Sequence, residues 1–382
     1  MHVGIGLLTL LPGQVGGSET LVRGLLKGLT DDPGQEADSQ SYTVFTNAEG
    51  ARALEPYDRS PVRVASMPGY RPGKGSAGRL LAMVRARYAG GSLERAVLAA
   101  TGEPFDVVHY ALTVSIPRFD CPKVVTVYDV QHEVMPEFFS PQERAYRRIF
   151  YGGAIASADV VMTISEYSKR TILERHAIEP ERVVVSQQGI DRERFSPVQN
   201  ESDATVASLD LPERFVLYPS NLWPHKNHER LLDALPLLED SALGLVLTGE
   251  RYDRWGPLAD KIDTLGLANR VRHLGYVERG LLPALYRNAV GTVFPSLFEG
   301  LGIPPLEALS CGCPVAAARV AALPEVLEDK AIWFDPADPQ AIAAAIDSLA
   351  TENRPPAEPG LDFWGRFTWG EKNSGITSCW TS

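Results

Sequence analysis

Short apolar runs of β-forming residues alternate with helix-like stretches along most of this chain, and that alternation leaves few folds open to it. In the first half the predicted strands are Val3–Leu8, Tyr42–Phe45, Val62–Ala65, Asp106–His109, Lys123–Tyr128, Val160–Ile164 and Arg182–Val185. Helical patterning falls between several of them, at Glu19–Leu29, Arg79–Tyr88, Ser140–Ala156 and Ser165–His176. A second series follows: Phe215–Tyr218, Gly244–Leu247, Val271–Leu274, Gly291–Phe294, Pro314–Ala317 and Ile332–Phe334. Its helices are expected at Glu229–Leu238, Gly256–Leu265, Leu281–Asn288, Pro304–Ser310 and Gln340–Ala350. Strands that are apolar nearly throughout are buried on both faces, and strands alternating with helices pair in parallel. The class is therefore α/β, with sheets covered on both sides.

Between the two series, Ser196–Leu211 is polar, poor in aromatics and opened by a Ser-Pro turn, which reads as a linker. A chain of 382 residues is also long for one core. The expected organisation is a first domain over 1–195, a linker over 196–211, a second domain over 212–352 and a C-terminal segment over 353–382. Both domains read as doubly wound, and ligands of such sheets bind outside the carboxyl ends of the strands. An interdomain cleft is thus the expected site.

Charge and cysteine usage narrow the function. A net charge of −11 opposes a general nucleic-acid partner, because backbone phosphates call for a basic field. The four cysteines are sparse, and Cys311 and Cys313 are one residue apart, a spacing unlike a zinc knuckle or a redox pair. No run approaches the ~20 apolar residues of a membrane span. The opening MHVGIGLLTLLPG has no basic leader and no small-residue cleavage site, so it reads as a buried strand, and a cytoplasmic location is expected. From Arg59 to Arg95, however, eight basic residues stand against the single acid Glu94. Within 71–95 this allows a basic amphipathic helix in peripheral contact with an anionic membrane surface, or a solvated loop that recruits an anionic substrate.

The segment after Gly291–Phe294 carries the most chemistry. Pro295-Ser296-Leu297-Phe298-Glu299-Gly300-Leu301-Gly302 leads directly into Ile303-Pro304-Pro305-Leu306-Glu307-Ala308. Proline in the first turn marks a helix start. Backbone N–H groups of Gly300 to Ile303 are expected to face outward at the positive end of the helix dipole, a setting suited to a diphosphate. Glu299 and Glu307 flank that site. Carboxylates are repelled by phosphate, so they are expected to face hydroxyls of a sugar or a ribose. An anion site flanked by hydroxyl acceptors describes a nucleotide-sugar.

The spacing Glu299 to Glu307, inside FEGLGIPPLEALSCGCPV, resembles the E-x7-E motif of retaining glycosyltransferases of family 4 with the GT-B fold. The resemblance continues through Leu323-Pro324-Glu325-Val326, Phe334-Asp335-Pro336-Ala337-Asp338, Leu274-Gly275-Tyr276-Val277 and Tyr218–Asn227. In the first half it takes in Gly16-Gly17-Ser18-Glu19, Ala158-Asp159, Ile164-Ser165 and Gln188-Gly189-Ile190-Asp191, so that it spans roughly residues 1–350. It implies two Rossmann-like domains facing a cleft, with the acceptor presented by the first and the nucleotide-sugar by the second.

Position by position, the resemblance implies that Glu307 holds ribose hydroxyls and Glu299 the transferred sugar. Leu301 and Gly302 offer N–H groups to the phosphates, and Lys226 neutralises the departing diphosphate. The backbone at Tyr276 and Val277 reads the base. No Asp-x-Asp pair occurs in the chain, so catalysis is expected without a metal and without a cofactor beyond the donor substrate. Asn221 stands where many relatives carry an arginine that assists the lysine. On the acceptor side, Gly16 and Gly17 are expected to approach the ligand. In Thr126–Glu133 the family's strand-end histidine is replaced by Tyr128; His132 is expected to take the acceptor-side role, with Asp129 orienting or structural and His109 a competing candidate. Phe367-Thr368-Trp369 resembles the opening of the family's final helix, but GEKNSGITSCWTS after Trp369 has no helical apolar stripe.

The expected activity is transfer of a hexose from a GDP- or UDP-linked donor, GDP-mannose favoured, to a glycan, lipid-linked or natural-product acceptor. Two alternatives stay open: another enzyme of the same architecture, such as an epimerase or phosphorylase, and a sugar-nucleotide-binding protein with weak or no transfer.

Overall fold

The run HVGIGL forms β1 (His2–Leu7), and every residue of it is buried. Its two glycines have a packing reason: a Cβ on Gly4 would lie 2.9 Å from the Phe105 ring, and one on Gly6 2.8 Å from Tyr110. In this computed structural model the described residues are 1–13, 17–31, 40–67, 69–71, 73, 78, 91–278, 280–351, 359–367 and 379–380. The chain divides into two units, one of Met1–Gly189 with Gly365–Ser382 and one of Ile190–Trp364.

In the first unit β1 is joined by β2 (Ser41–Thr46), β3 (Val62–Ser66), β4 (Val107–Tyr110), β5 (Lys123–Thr126), β6 (Val160–Thr163) and β7 (Val183–Val185). They form a parallel sheet in the order β3-β2-β1-β4-β5-β6-β7. The second unit contains β8 (Phe215–Pro219), β9 (Gly244–Thr248), β10 (Val271–His273), β11 (Gly291–Phe294), β12 (Val315–Ala318) and β13 (Ala331–Phe334). Its parallel order is β10-β9-β8-β11-β12-β13. Both sheets are doubly wound, and the winding reverses between β1 and β4 in one and between β8 and β11 in the other.

Each face of the first sheet is closed by helices whose apolar residues recur at helical spacing. Leu21, Val22, Leu25, Leu26 and Leu29 of the Gly17–Asp31 helix are buried; Val22, Leu25 and Leu26 pack with Val3, Ile5 and Leu7. Ala154, Ile155 and Ile172 pack with Val108, Val125 and Val161 on the other side. Full burial of one such aliphatic side chain contributes about 1.5–3 kcal/mol. Cys379 and Trp380 join the first of these clusters.

Helix starts expected at Ser140 and Ser165 begin one residue later. Both serines are N-caps, accepting from the Glu143 and Ser168 N–H groups. The expected linker, 196–211, is a correction of a different kind. Asn200 and Asp203 form a reciprocal capping box that starts a helix at Glu201–Ala207. Arg287 then clamps Asp203 at 2.6 Å and donates to the Ser196 carbonyl at 3.0 Å. The stretch therefore belongs to the second unit, which already begins at Ile190 rather than after 195. Helices at Ala48–Leu54 and Ser92–Thr101 had no counterpart in the sequence reading. The expected helix Arg79–Tyr88, with most of the basic segment, lies outside the described residues. No helix among the described residues is long and apolar enough to cross a membrane.

Candidate functional site

The switch point of the second sheet collects the charged residues singled out in the sequence. The turn after β8 carries Lys226, in a short 3-10 helix over Pro224–Lys226. The loop after β11 carries Glu299. Although 73 residues separate them in sequence, Lys226 Nζ donates to Glu299 Oε1 at 2.7 Å. Both side chains are mostly buried, at 19% and 13% exposure. An ammonium has three donors, so pairing with one carboxylate oxygen leaves N–H groups for an anion.

Three uncharged side chains hold this pair in place. Tyr218, fully buried in β8, donates its hydroxyl to the Lys226 carbonyl at 2.9 Å and lies 3.1 Å from Ser296 Oγ. Burial, then the nearby Glu299 carboxylate, pushes the Tyr218 hydroxyl well above the ordinary tyrosine range, so it stays a donor. Asn227 follows Lys226 in the left-handed region, at φ 61°. Its Nδ2 donates to the carbonyls of Pro295 and Pro336, each at 2.9 Å. The backbone adds Leu297 N–H to the His225 carbonyl at 2.7 Å.

From Glu299 the chain runs into the Ile303–Ser310 helix through Gly302, at φ 93°. A Cβ there would lie 2.5 Å from Leu323 Cδ2, so only glycine fits both the torsion and the space. No side chain caps the helix. Pro304 and Pro305 have no N–H, which confines the donors of the opening turn to Ile303 and the residues just before it. Glu307, half-buried, lies 3.4 Å from the Tyr286 hydroxyl, which also approaches the Pro304 carbonyl at 3.1 Å. Burial, with Glu307 next, raises the Tyr286 pKa far above its usual value.

Asn221, Tyr276 and Val277 lie on the same end of the sheet, on the loops after β8 and β10. Asn221 Oδ1 accepts the Glu250 N–H at 2.8 Å, tying the loops after β8 and β9. Gly249, at φ 114°, brings the backbones of those loops together: a Cβ would lie 2.7 Å from the Ser220 carbonyl carbon. Its N–H reaches the Gly275 carbonyl at 2.7 Å. Tyr276 is 61% exposed.

The acceptor-side candidates all belong to the other unit. Gly16 lies outside the described residues; Gly17 opens its helix with open space where a side chain would stand. His132 is 3% exposed, edge-on to Phe139 and Tyr151, with Nε2 3.4 Å from Glu133 Oε1. Burial, then Arg147 and His176, lowers its pKa to about 3. His109 is fully buried, 2.7 Å from Thr126 Oγ1, and burial lowers its pKa to about 3 as well. Asp129 closes a turn by accepting the Gln131 N–H at 2.9 Å, and Tyr128 donates to the Ala111 carbonyl at 2.8 Å. Neither histidine is a surface residue. All four cysteines are free thiols, and no group of potential metal ligands occurs among the described residues.

Sequence reasoning missed the supports Tyr218, Ser296, Asn227 and Tyr286. Tyr218, Asn227 and Ser296 were inside quoted motifs, but in a strand and in turns they had no visible partner.

Comparison with known proteins places both halves. Residues 15–194 match the model described as Glycosyltransferase Family 4, and residues 200–360 match that of glycosyl transferases group 1. Over 227 residues the chain is 30% identical to O-antigen chain mannosyltransferase B of Escherichia coli, covering 58% of this chain and 60% of that protein. It is 32% identical over 213 residues to a D-inositol 3-phosphate glycosyltransferase of Salinispora tropica, covering 51% and 44%. The match thus spans three fifths or less of these relatives' length. Among solved structures, Anabaena Alr3699/HepE in complex with UDP and glucose shares the fold at a TM-score of 0.74, with 21% identity over 100% of this chain and 99% of that one.

Proposed function

Since this chain belongs to glycosyltransferase family 4 and has the GT-B fold, we propose that it transfers a hexose from a nucleotide-sugar with retention of configuration and without a metal. The observation that carries this is the 2.7 Å contact of Lys226 with Glu299 at the switch point, beside an uncapped helix start.

Breaking the sugar–phosphate bond builds negative charge on the departing oxygen and positive charge on the anomeric carbon. Lys226 meets the first, aided by the backbone N–H groups of Leu301 to Ile303. Glu299 lies where it can hold hydroxyls of the transferred sugar, and its charge favours the cationic carbon. Glu307 is positioned on the helix for ribose hydroxyls, and the loop of Tyr276 and Val277 for the base. Fixed donors aimed at developing charge are worth about 3 kcal/mol each in such sites. GDP-mannose is the favoured donor, in keeping with the mannosyltransferases among its relatives, and a glycan or lipid-linked glycan the favoured acceptor. The basic segment 71–95 is proposed to bring the protein to an anionic membrane surface, which flotation with phosphatidylglycerol liposomes tests against a variant lacking Arg79, Arg85 and Arg87.

A second reading, binding of a sugar nucleotide without transfer, is favoured by Asn221, whose amide oxygen serves the Glu250 N–H and which brings no charge to the phosphates. Purified protein incubated with GDP-mannose or UDP-glucose in EDTA decides between them. Release of GDP or UDP, abolished in both Lys226→Ala and Glu299→Ala, supports the transferase; binding with no turnover supports the second reading. The anomeric proton signal of the product tests retention.

A further inference from the structure

The proposed donor site is short of positive charge. Lys226 is already balanced by Glu299 at 2.7 Å, and Asn221 brings no charge. A nucleoside diphosphate carries more than one negative charge, whereas a helix mouth offers roughly half an elementary charge against it. A further cation is wanted at the carboxyl ends of the second sheet. Among the described residues, the segments that follow β9 and β12 hold Arg251, Arg254 and Arg319. Arg251 is engaged: its Nε donates to His273 Nδ1 at 3.1 Å, and its guanidinium lies 4.4 Å over the Trp255 ring. Arg254 and Arg319 are exposed, and neither side chain makes a hydrogen bond or ion pair with the described residues.

Position separates these two. Arg254 follows β9, which β8 divides from β11 and its helix. Arg319 follows β12, the direct neighbour of β11, one strand spacing of about 4.8 Å away. The segment after Arg319 is also built onto the site. The Ala322 N–H donates to the Glu299 carbonyl at 3.3 Å. Leu323 fills the space beside Gly302, where a Cβ would lie 2.5 Å from its Cδ2. Ala321 makes the bend between them at φ 51°, a torsion that residues with a side chain seldom adopt and that collects at ligand sites. The Arg319 backbone is fixed in turn, its N–H donating to the Phe334 carbonyl at 3.0 Å. A guanidinium is thus left in water at the start of a segment strapped to both Glu299 and Gly302.

We propose that Arg319 is a donor-binding residue, the second cation on the diphosphate, supplying the charge that Asn221 does not bring. This rests on the reading of the helix mouth as the diphosphate site and adds a residue to it. A guanidinium offers two parallel N–H groups to phosphate oxygens and keeps its charge at any ordinary pH. No ion pair has to break before it turns to a ligand, unlike Lys226, whose ammonium shares Glu299. Its exposure also means that salt screens it, so its contribution falls as ionic strength rises.

The test is titration of the full chain with GDP and UDP by calorimetry, and with guanosine and uridine by saturation-transfer NMR. Wild type is expected to bind at least one diphosphate. Arg319→Gln should weaken that binding about tenfold or more, flatten its salt dependence, and leave the matching nucleoside and the melting transition unchanged. Arg319→Lys, which keeps the charge without the fork, should recover part of the loss; Arg254→Gln should lose nothing. Diphosphate affinity that Arg319→Gln retains overturns the proposal. So does an equal loss for the nucleoside, which gives Arg319 to the base, or a loss in Arg254→Gln in its stead. Lys226→Ala, titrated in parallel, tests the site itself. Binding weakened by Lys226→Ala but not by Arg319→Gln rejects Arg319 alone, whereas a wild type that binds neither diphosphate rejects the donor site and Arg319 together.

Discussion

The Asn227 amide donates to the Pro295 carbonyl at 2.9 Å, so the residue that follows Lys226 is tied to the residue that opens the loop of Glu299. The same nitrogen reaches the Pro336 carbonyl, and the side chain is 5% exposed. Asn227→Ala removes both bonds and leaves a β-carbon at φ 61°, whereas Asn227→Gly removes only the bonds. Loss of buried hydrogen bonds of this type costs about 1–3 kcal/mol. Urea unfolding should show both variants destabilised, alanine more than glycine. Equal stability of all three proteins would refute the tie.

Lys226 and Glu299 are expected to fail differently. Lys226→Ala removes the cation proposed for the leaving group, and turnover should fall by about a hundredfold or more. Glu299→Gln keeps the shape and a hydrogen-bond partner for Lys226 but not the charge. It should bind GDP or UDP as well as wild type does and lose turnover. Calorimetry with each nucleotide, beside rates of donor cleavage, separates the two effects.

Gly302→Ala places a methyl group 2.5 Å from Leu323 Cδ2 at φ 93°. The strain of the torsion alone is about 1–2 kcal/mol. The melting temperature should fall, and nucleotide affinity should fall with it, because the N–H groups of Leu301 to Ile303 shift together. Leu323 is fully buried, so Leu323→Ala alone costs about 2–5 kcal/mol. Combined with Gly302→Ala, the total loss should be less than the sum of the two, because the shorter side chain relieves the clash but not the torsion.

Acid should weaken the second unit through His228. This side chain is 6% exposed, and burial, then Lys226 and His273, lowers its pKa to about 3. The folded state therefore holds it neutral while an unfolded chain takes up a proton near pH 6.5. Its contribution is complete above that pH and drains away as the pH falls toward about 3, at roughly 1.4 kcal/mol per pH unit. His228→Phe should flatten the slope of stability against pH between 6 and 4, measured by denaturant midpoints.

Much of this architecture was legible because parallel strands buried on both faces are apolar without interruption. Each of the expected strands is present to within a residue or two at its ends. Polar segments were harder. Asn200 to Ala207 looks like a linker until Asp203 is seen to cap its own helix and meet Arg287, 84 residues away. The site divided along the same line. Lys226 and Glu299 were visible as residues, since charge in a turn after a strand is conspicuous, but their contact was not. His132 was read as a polar group for a ligand; its enclosure by the rings of Phe139 and Tyr151 is something no local pattern announces.

The mouth of the Ile303–Ser310 helix has two consecutive prolines, Pro304 and Pro305. Their rings set φ by covalent closure, so the first turn has almost no alternative backbone states to lose when a ligand settles against it. The entropy of ordering that turn was surrendered when the chain was synthesised. A ligand that bound here, as proposed, would therefore meet a first turn already at rest, and only the few amides leading into it, those of Leu301 to Ile303, would be left to order.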